Sequence, residues 1–150
     1  MIRKHRVLTL VIAGLNLGCA NEEFPHVDRV THVVLTSYSA RWRTIVDSTQ
    51  VQQVVRFVNA RNTKWGGLSD IGGVPIPALR VLMYDSTVAY NRGFQGSFGA
   101  GRGFFETQRD GRFASRSAER AELEEFAKIL GVPVIWLETG IPKDSLRPGD

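Results

Sequence analysis

The stretch V-Q-Q-V-V-R-F-V, Val51 to Val58, interrupts a region that otherwise resembles β-strands. Its four valines fall at i, i+3, i+4 and i+7, so they share one side of an α-helix that Asp47 or Ser48 can cap. We give this spacing more weight than the β-propensity of valine. Two strands, Arg29–Tyr38 and Arg41–Val46, come before the helix. A helix that follows paired strands predicts a mixed fold.

Further elements follow this helix. Leu79–Asp85 and Thr87–Arg92 are predicted to form a hairpin around Asp85-Ser86. Asp110-Gly111 is a second hairpin signal, and it joins a strand ending near Arg109 to a short one at Arg112–Ala114. Three more elements are predicted: a helix at Ala118–Leu130 capped by Ser117, an edge strand at Val132–Leu137 and a frayed tail after it.

The stretch G-F-Q-G-S-F-G-A-G-R-G-F-F-E, Gly93 to Glu106, is predicted to be one strand with a bare glycine face. Phe94, Phe98 and Phe104 share the other face. The element order β-β-α-β-β-β-α then predicts an α+β fold. We expect an antiparallel sheet of about five or six strands, with two helices packed on one face.

The N-terminus has the composition of an export signal. Arg3, Lys4 and Arg6 precede an apolar run at Val7–Leu17, and small residues follow. The run is shorter than the roughly 20 residues that a membrane-spanning helix needs. We therefore divide the chain into a signal peptide at 1–18, an anchor and tether at 19–28, one domain at 29–138 and a flexible tail at 139–150.

The single cysteine lies directly after this run, in L-N-L-G-C-A, Leu15 to Ala20. The segment resembles the lipobox of bacterial lipoproteins, in which a cysteine after Gly or Ala becomes the lipidated first residue. The resemblance implies that Cys19 carries the lipid and that the protein is anchored in the cell envelope, at the outer membrane or periplasmic face. Cleavage after Ala20, which would release a soluble secreted protein, is the alternative.

The positive charge belongs mostly to the signal. The chain has 19 Lys and Arg and 15 Asp and Glu, and three of the cations lie in the first six residues. The remaining charge is therefore about +1, which removes basicity as an argument for a nucleic-acid partner.

The loop Asn62–Pro77 is a candidate binding loop because it is long and rich in glycine. Trp65 would be a recognition anchor if its ring were exposed, and Ser69 and Asp70 add polar groups. Arg102, Arg109 and Arg112, together with Arg92 and Arg116, form either a solvated sheet face or a contact for anionic headgroups or an acidic partner.

Catalytic and metal-binding patterns are weak. G-L-S-D-I at Gly67–Ile71 lacks the second glycine of a nucleophile elbow. Only His26 and His32 remain after the signal, so we predict no metal and no cofactor. The sequence favours a non-enzymatic, membrane-anchored binding or structural module, with an envelope protein as candidate partner. A secreted binding or inhibitor domain and a small hydrolase are the alternatives.

Overall fold

A seven-stranded antiparallel sheet organises the chain, with strand order β2-β1-β4-β5-β6-β7-β3. The computed structural model describes residues 27–38, 40–63, 65–67, 76–87, 93–109 and 112–146. The strands are β1 His32–Ser37, β2 Ala40–Ile45, β3 Gly66–Gly67, β4 Leu79–Tyr84, β5 Phe94–Gly101, β6 Phe104–Arg109 and β7 Arg112–Ser117. The predicted antiparallel α+β fold is confirmed, with six strands of six or more residues.

Three helices pack with the sheet: α1 Ser48–Asn59, α2 Arg120–Leu130 and α3 Val134–Thr139. Asp47 caps α1, as predicted, by accepting a hydrogen bond from the Gln50 N–H. Helix α2 begins two residues later than predicted, because Glu119 and Glu122 form a capping box. Gly131 ends α2 in the left-handed conformation, at φ 65°.

The core lies between the helices and one face of the sheet. Phe57 of α1 stacks on Phe126 of α2, with ring centroids 4.7 Å apart. Phe98 and Phe105 approach the same rings from β5 and β6. The valines of α1 are buried in this cluster, so the helical spacing correctly predicted the buried side of α1.

The glycine stretch is a hairpin rather than one strand. Strand β5 ends at Gly101, and a turn through Arg102 and Gly103 leads into β6. Gly103 has φ 74°, a conformation that favours glycine. The shared face predicted for Phe94, Phe98 and Phe104 was therefore wrong. The turn places Phe104 on the face opposite Phe98, and a bulge between Phe94 and Gly96 separates Phe94 from Phe98 as well.

Two predicted strands are also corrected. Val132–Leu137 is not an edge strand, since residues 134–139 form α3 and bury Leu137 in the core. The hairpin between Leu79–Asp85 and Thr87–Arg92 is excluded because β1 and β5 occupy both sides of β4. The Asp110-Gly111 hairpin is confirmed, because Arg109 pairs with Arg112, and β7 continues to Ser117.

Ordered structure extends beyond both predicted domain limits. Val27 is buried, and its main chain exchanges two hydrogen bonds with the Asn59 side chain of α1. Ile141 is also buried, and its N–H donates to Ser37 Oγ at the end of β1. A short 3₁₀ turn at Lys143–Ser145 follows.

Candidate functional site

The sheet face opposite the helices is the candidate site, and we call it the open face. Register places alternate residues of each strand there, away from the helix-packed cluster of Val33, Val81 and Phe98. Val34 is buried on the open face but is not a member of that cluster. In the part of the chain that the structure describes, no helix packs on this face.

An aromatic row crosses the open face at the end where β1 begins. His32 stacks on Tyr84, with ring centroids 5.3 Å apart and an interplanar angle of 9°. Phe94 continues the row at 5.6 Å from Tyr84 and is 41% exposed. A bulge in β5 opposite Met83 and Tyr84 brings Phe94 into this row. Tyrosine is enriched in recognition surfaces, and Tyr84 lies here between the exposed Phe94 ring and the half-buried His32 ring.

An ion pair crosses the centre of the same face. Arg80 on β4 and Glu106 on β6 are both in register with Gly99 on the strand between them. Arg80 Nη2 lies 2.6 Å from Glu106 Oε1, so the two side chains meet above the intervening strand. A Cβ at Gly99 would lie 2.5 Å from the Pro77 ring. Glycine at this position therefore allows Pro77 to pack closely against the sheet.

Burial sets the electrostatics of this pair. The Glu106 side chain is 1% exposed, whereas that of Arg80 is 30% exposed. Burial raises the pKa of Glu106, and the charge and hydrogen bond of Arg80 oppose this effect. Three buried polar atoms here, Arg80 Nε, Glu106 Oε2 and Ser97 Oγ, have no hydrogen-bond partner among the described residues. All three atoms are buried, so the ion pair contributes to the interior of the sheet, and only part of the Arg80 side chain reaches the surface.

Trp65 does not belong to an exposed surface, and the role of recognition anchor predicted for it was wrong. Its side chain is 3% exposed and packs edge-on against Phe98, with ring centroids 6.0 Å apart. Its indole N–H donates to the Arg61 carbonyl, which satisfies the polar atom inside the core. Trp65 therefore closes the core beside β3.

The predicted arginine cluster is divided by the fold. Arg102 is exposed in the β5–β6 turn, whereas Arg109 and Arg112 pair at the opposite end of β6. The six residues of β6 separate these ends by about 17 Å. Arg116 lies elsewhere, in an ion pair with Glu122 of α2. The described arginines of the predicted cluster therefore do not lie together on one surface, and Arg92 lies outside the described residues.

Three other candidates, Cys19, Ser69 and Asp70, lie outside the described residues. Sequence reasoning missed Arg80 and Glu106, because they meet only through the register of β4 and β6 with the strand between them, β5. The available signal was a charged residue in each of two otherwise strand-like segments, L-R-V-L and F-F-E-T.

Within the described ranges, no group of three His, Cys, Asp or Glu side chains is placed to hold a metal ion. No described helix is long and apolar enough to cross a bilayer. Neither a family model, nor a curated protein, nor a solved structure matches the chain.

Proposed function

We propose that this chain is an exported bacterial lipoprotein, anchored in the cell envelope through Cys19, whose α+β domain is a non-enzymatic binding or structural module. The N-terminal order of basic, apolar and small residues supports export. The position of Cys19 at the end of the apolar run supports lipidation. Its place at the outer membrane or periplasmic face is part of the same proposal.

The start of the folded domain is consistent with such an anchor. Val27 is the first described residue, and Asn59 holds it against α1. Cys19 precedes Val27 by eight residues, which can span at most about 27 Å. A lipid on Cys19 would therefore keep the domain close to the bilayer surface.

The observation that carries the binding function is the aromatic row on the open face. Phe94 is exposed, Tyr84 and His32 are half-buried, and a partly exposed arginine, Arg80, lies on the same face. Aromatic and arginine side chains dominate the energy of protein interfaces. We propose that an envelope protein binds here, and we propose no nucleic-acid partner.

The anchor is tested by metabolic labelling with radioactive palmitate in a bacterial host. Wild type should be labelled, and Cys19→Ala should not. Asn16→Leu is the matched control, because lipoproteins prefer an aliphatic residue three positions before the cysteine. The Asn16→Leu variant should incorporate at least as much palmitate as wild type. Equal labelling of wild type and Cys19→Ala would refute the anchor, and unlabelled protein in the medium beginning at Asn21 would favour secretion.

The binding face is tested separately by placing a photocrosslinking phenylalanine analogue at Phe94. Ile135, which is 49% exposed on α3, is the control position. The proposal predicts a discrete crosslinked species from Phe94 and none from Ile135. Crosslinking of both positions to the same species, or of neither, would contradict binding at the open face.

A further inference from the structure

A groove between α1 and α2 lies on the helical side of the domain, opposite the open face. Its volume is about 280 Å³, close to the lower limit of roughly 300 Å³ for small-molecule sites. Phe57 and Ile129 supply its apolar lining, and Gln53, Arg56, Arg61 and Glu125 supply its polar lining. The size suits a headgroup-sized ligand rather than a large cofactor.

One arginine of the groove is held rigidly. The Arg61 guanidinium lies 3.3 Å from the centroid of the Phe57 ring and donates to the Phe57 carbonyl. It also pairs with Glu122 and Glu125, at 3.3 and 2.9 Å. Since its side chain is only 10% exposed and two carboxylates balance its charge, Arg61 shapes the wall of the groove and leaves Arg56 to supply the positive charge.

The second arginine is available to a ligand. Arg56 is exposed in the last turn of α1, and no ion pair joins it to an acidic side chain in the described part of the chain. Gln53 is exposed one turn earlier on the same helix. Arg56 and Gln53 can therefore reach a phosphate oxygen without breaking an existing ion pair.

The groove is also next to the point where the tether reaches the domain. Asn59, which binds the Val27 main chain, belongs to the same helical turn as Arg56. If Cys19 is lipidated, the groove lies within tether length of the bilayer. Basic side chains near an anionic bilayer surface strengthen binding.

We propose that the groove between α1 and α2 binds the phosphate of an anionic phospholipid headgroup. The helices would then lie against the bilayer, and the open face would point away from it toward a partner. The inference rests on the proposed envelope location, and it names the membrane contact that the anchor alone does not specify.

The test uses the mature chain from residue 19 with Cys19→Ser, which carries no lipid. Its flotation is compared on vesicles of phosphatidylcholine alone and on vesicles that also contain phosphatidylglycerol. With no other substitution, this Cys19→Ser chain should bind only the vesicles that contain phosphatidylglycerol. Arg56→Gln should weaken binding roughly fivefold, the contribution of one basic side chain at an anionic surface. Glu125→Gln should strengthen it by removing a carboxylate from the groove.

Arg41→Gln is the charge-matched control, because Arg41 is exposed on the edge strand β2, away from the groove. It should bind like wild type. Equal weakening by Arg41→Gln and Arg56→Gln would overturn the groove as the site, as would failure of the wild-type sequence to bind phosphatidylglycerol. Binding of inorganic phosphate that depends on Arg56, without any flotation on phosphatidylglycerol vesicles, would overturn a lipid surface as the ligand. The flotation experiment uses a chain without lipid. Its result therefore tests the groove even if palmitate labelling shows that Cys19 is not lipidated.

Discussion

Replacing Arg80 with methionine should destabilise the domain in a pH-dependent way. The substitution keeps most of the side-chain stem but leaves Glu106 as a buried carboxylate without its ion-pair partner. Removing one member of a buried pair costs about 3–5 kcal/mol. Arg80 is 30% exposed, so we expect the lower end, about 3 kcal/mol, at neutral pH.

The pH dependence follows from the raised pKa of Glu106. A carboxyl whose folded-state pKa is above its unfolded value disfavours folding when it is ionised, so its penalty grows as pH rises through the folded pKa. Arg80→Met removes the charge and hydrogen bond that oppose the raised pKa of Glu106. The loss of stability caused by Arg80→Met should therefore become smaller as the pH falls and Glu106 is protonated. Arg80→Met with Glu106→Gln should recover most of the stability, since no buried charge remains.

Urea denaturation of the unlipidated mature chain at neutral and mildly acidic pH measures these differences. Arg120→Met is the control, because Arg120 is exposed and solvent screens its ion pairs, so its loss should change the stability far less. A loss of stability from Arg80→Met that is as small as that of the control at neutral pH would contradict a buried carboxylate that depends on Arg80. So would a loss that grows as the pH falls.

Three further predictions concern the core, the sheet and the helix cap. Phe126→Ala should cost about 3–5 kcal/mol by thermal or urea unfolding, because Phe126 is fully buried among three aromatic rings. Gly99→Val should lower the melting temperature, because its Cβ would lie 2.5 Å from the Pro77 ring; an unchanged melting temperature would contradict that contact. Burial raises the pKa of Glu122, but hydrogen bonds from Glu119 and Arg116 outweigh it and give a net lowering. Stability from Glu122 is thus present above its unfolded pKa and lost as pH falls through the lowered value, so Glu122→Gln should flatten the acid side of the stability–pH curve.

Local patterns predicted the elements whose periodicity is strong. The valine spacing of α1 and its Asp47 cap are local features, and the structure contains both. The Asp110-Gly111 turn predicted the β6–β7 hairpin for the same reason. Two turns were not predicted from local patterns. Gly103 reverses the chain inside a glycine-rich run, and Gly131-Val132-Pro133 leads into a helix rather than a strand.

The candidate site depends on long-range register, which single-sequence patterns do not contain. Arg80 and Glu106 are 26 positions apart, and only the pairing of both β4 and β6 with β5 brings them together. Trp65 was instead proposed as a site residue although it is buried. A tryptophan in a glycine-rich loop suggested an exposed anchor, but the edge pairing of β3 turns it into the core.

The anchor on Cys19 is the central claim, and mass spectrometry of the N-terminal peptide from purified membranes tests it most directly. The account predicts a mature chain that begins at Cys19 and carries a diacylglyceryl group on its sulfur. An unmodified chain that begins at Asn21, or one that retains Met1 to Gly18, would contradict it.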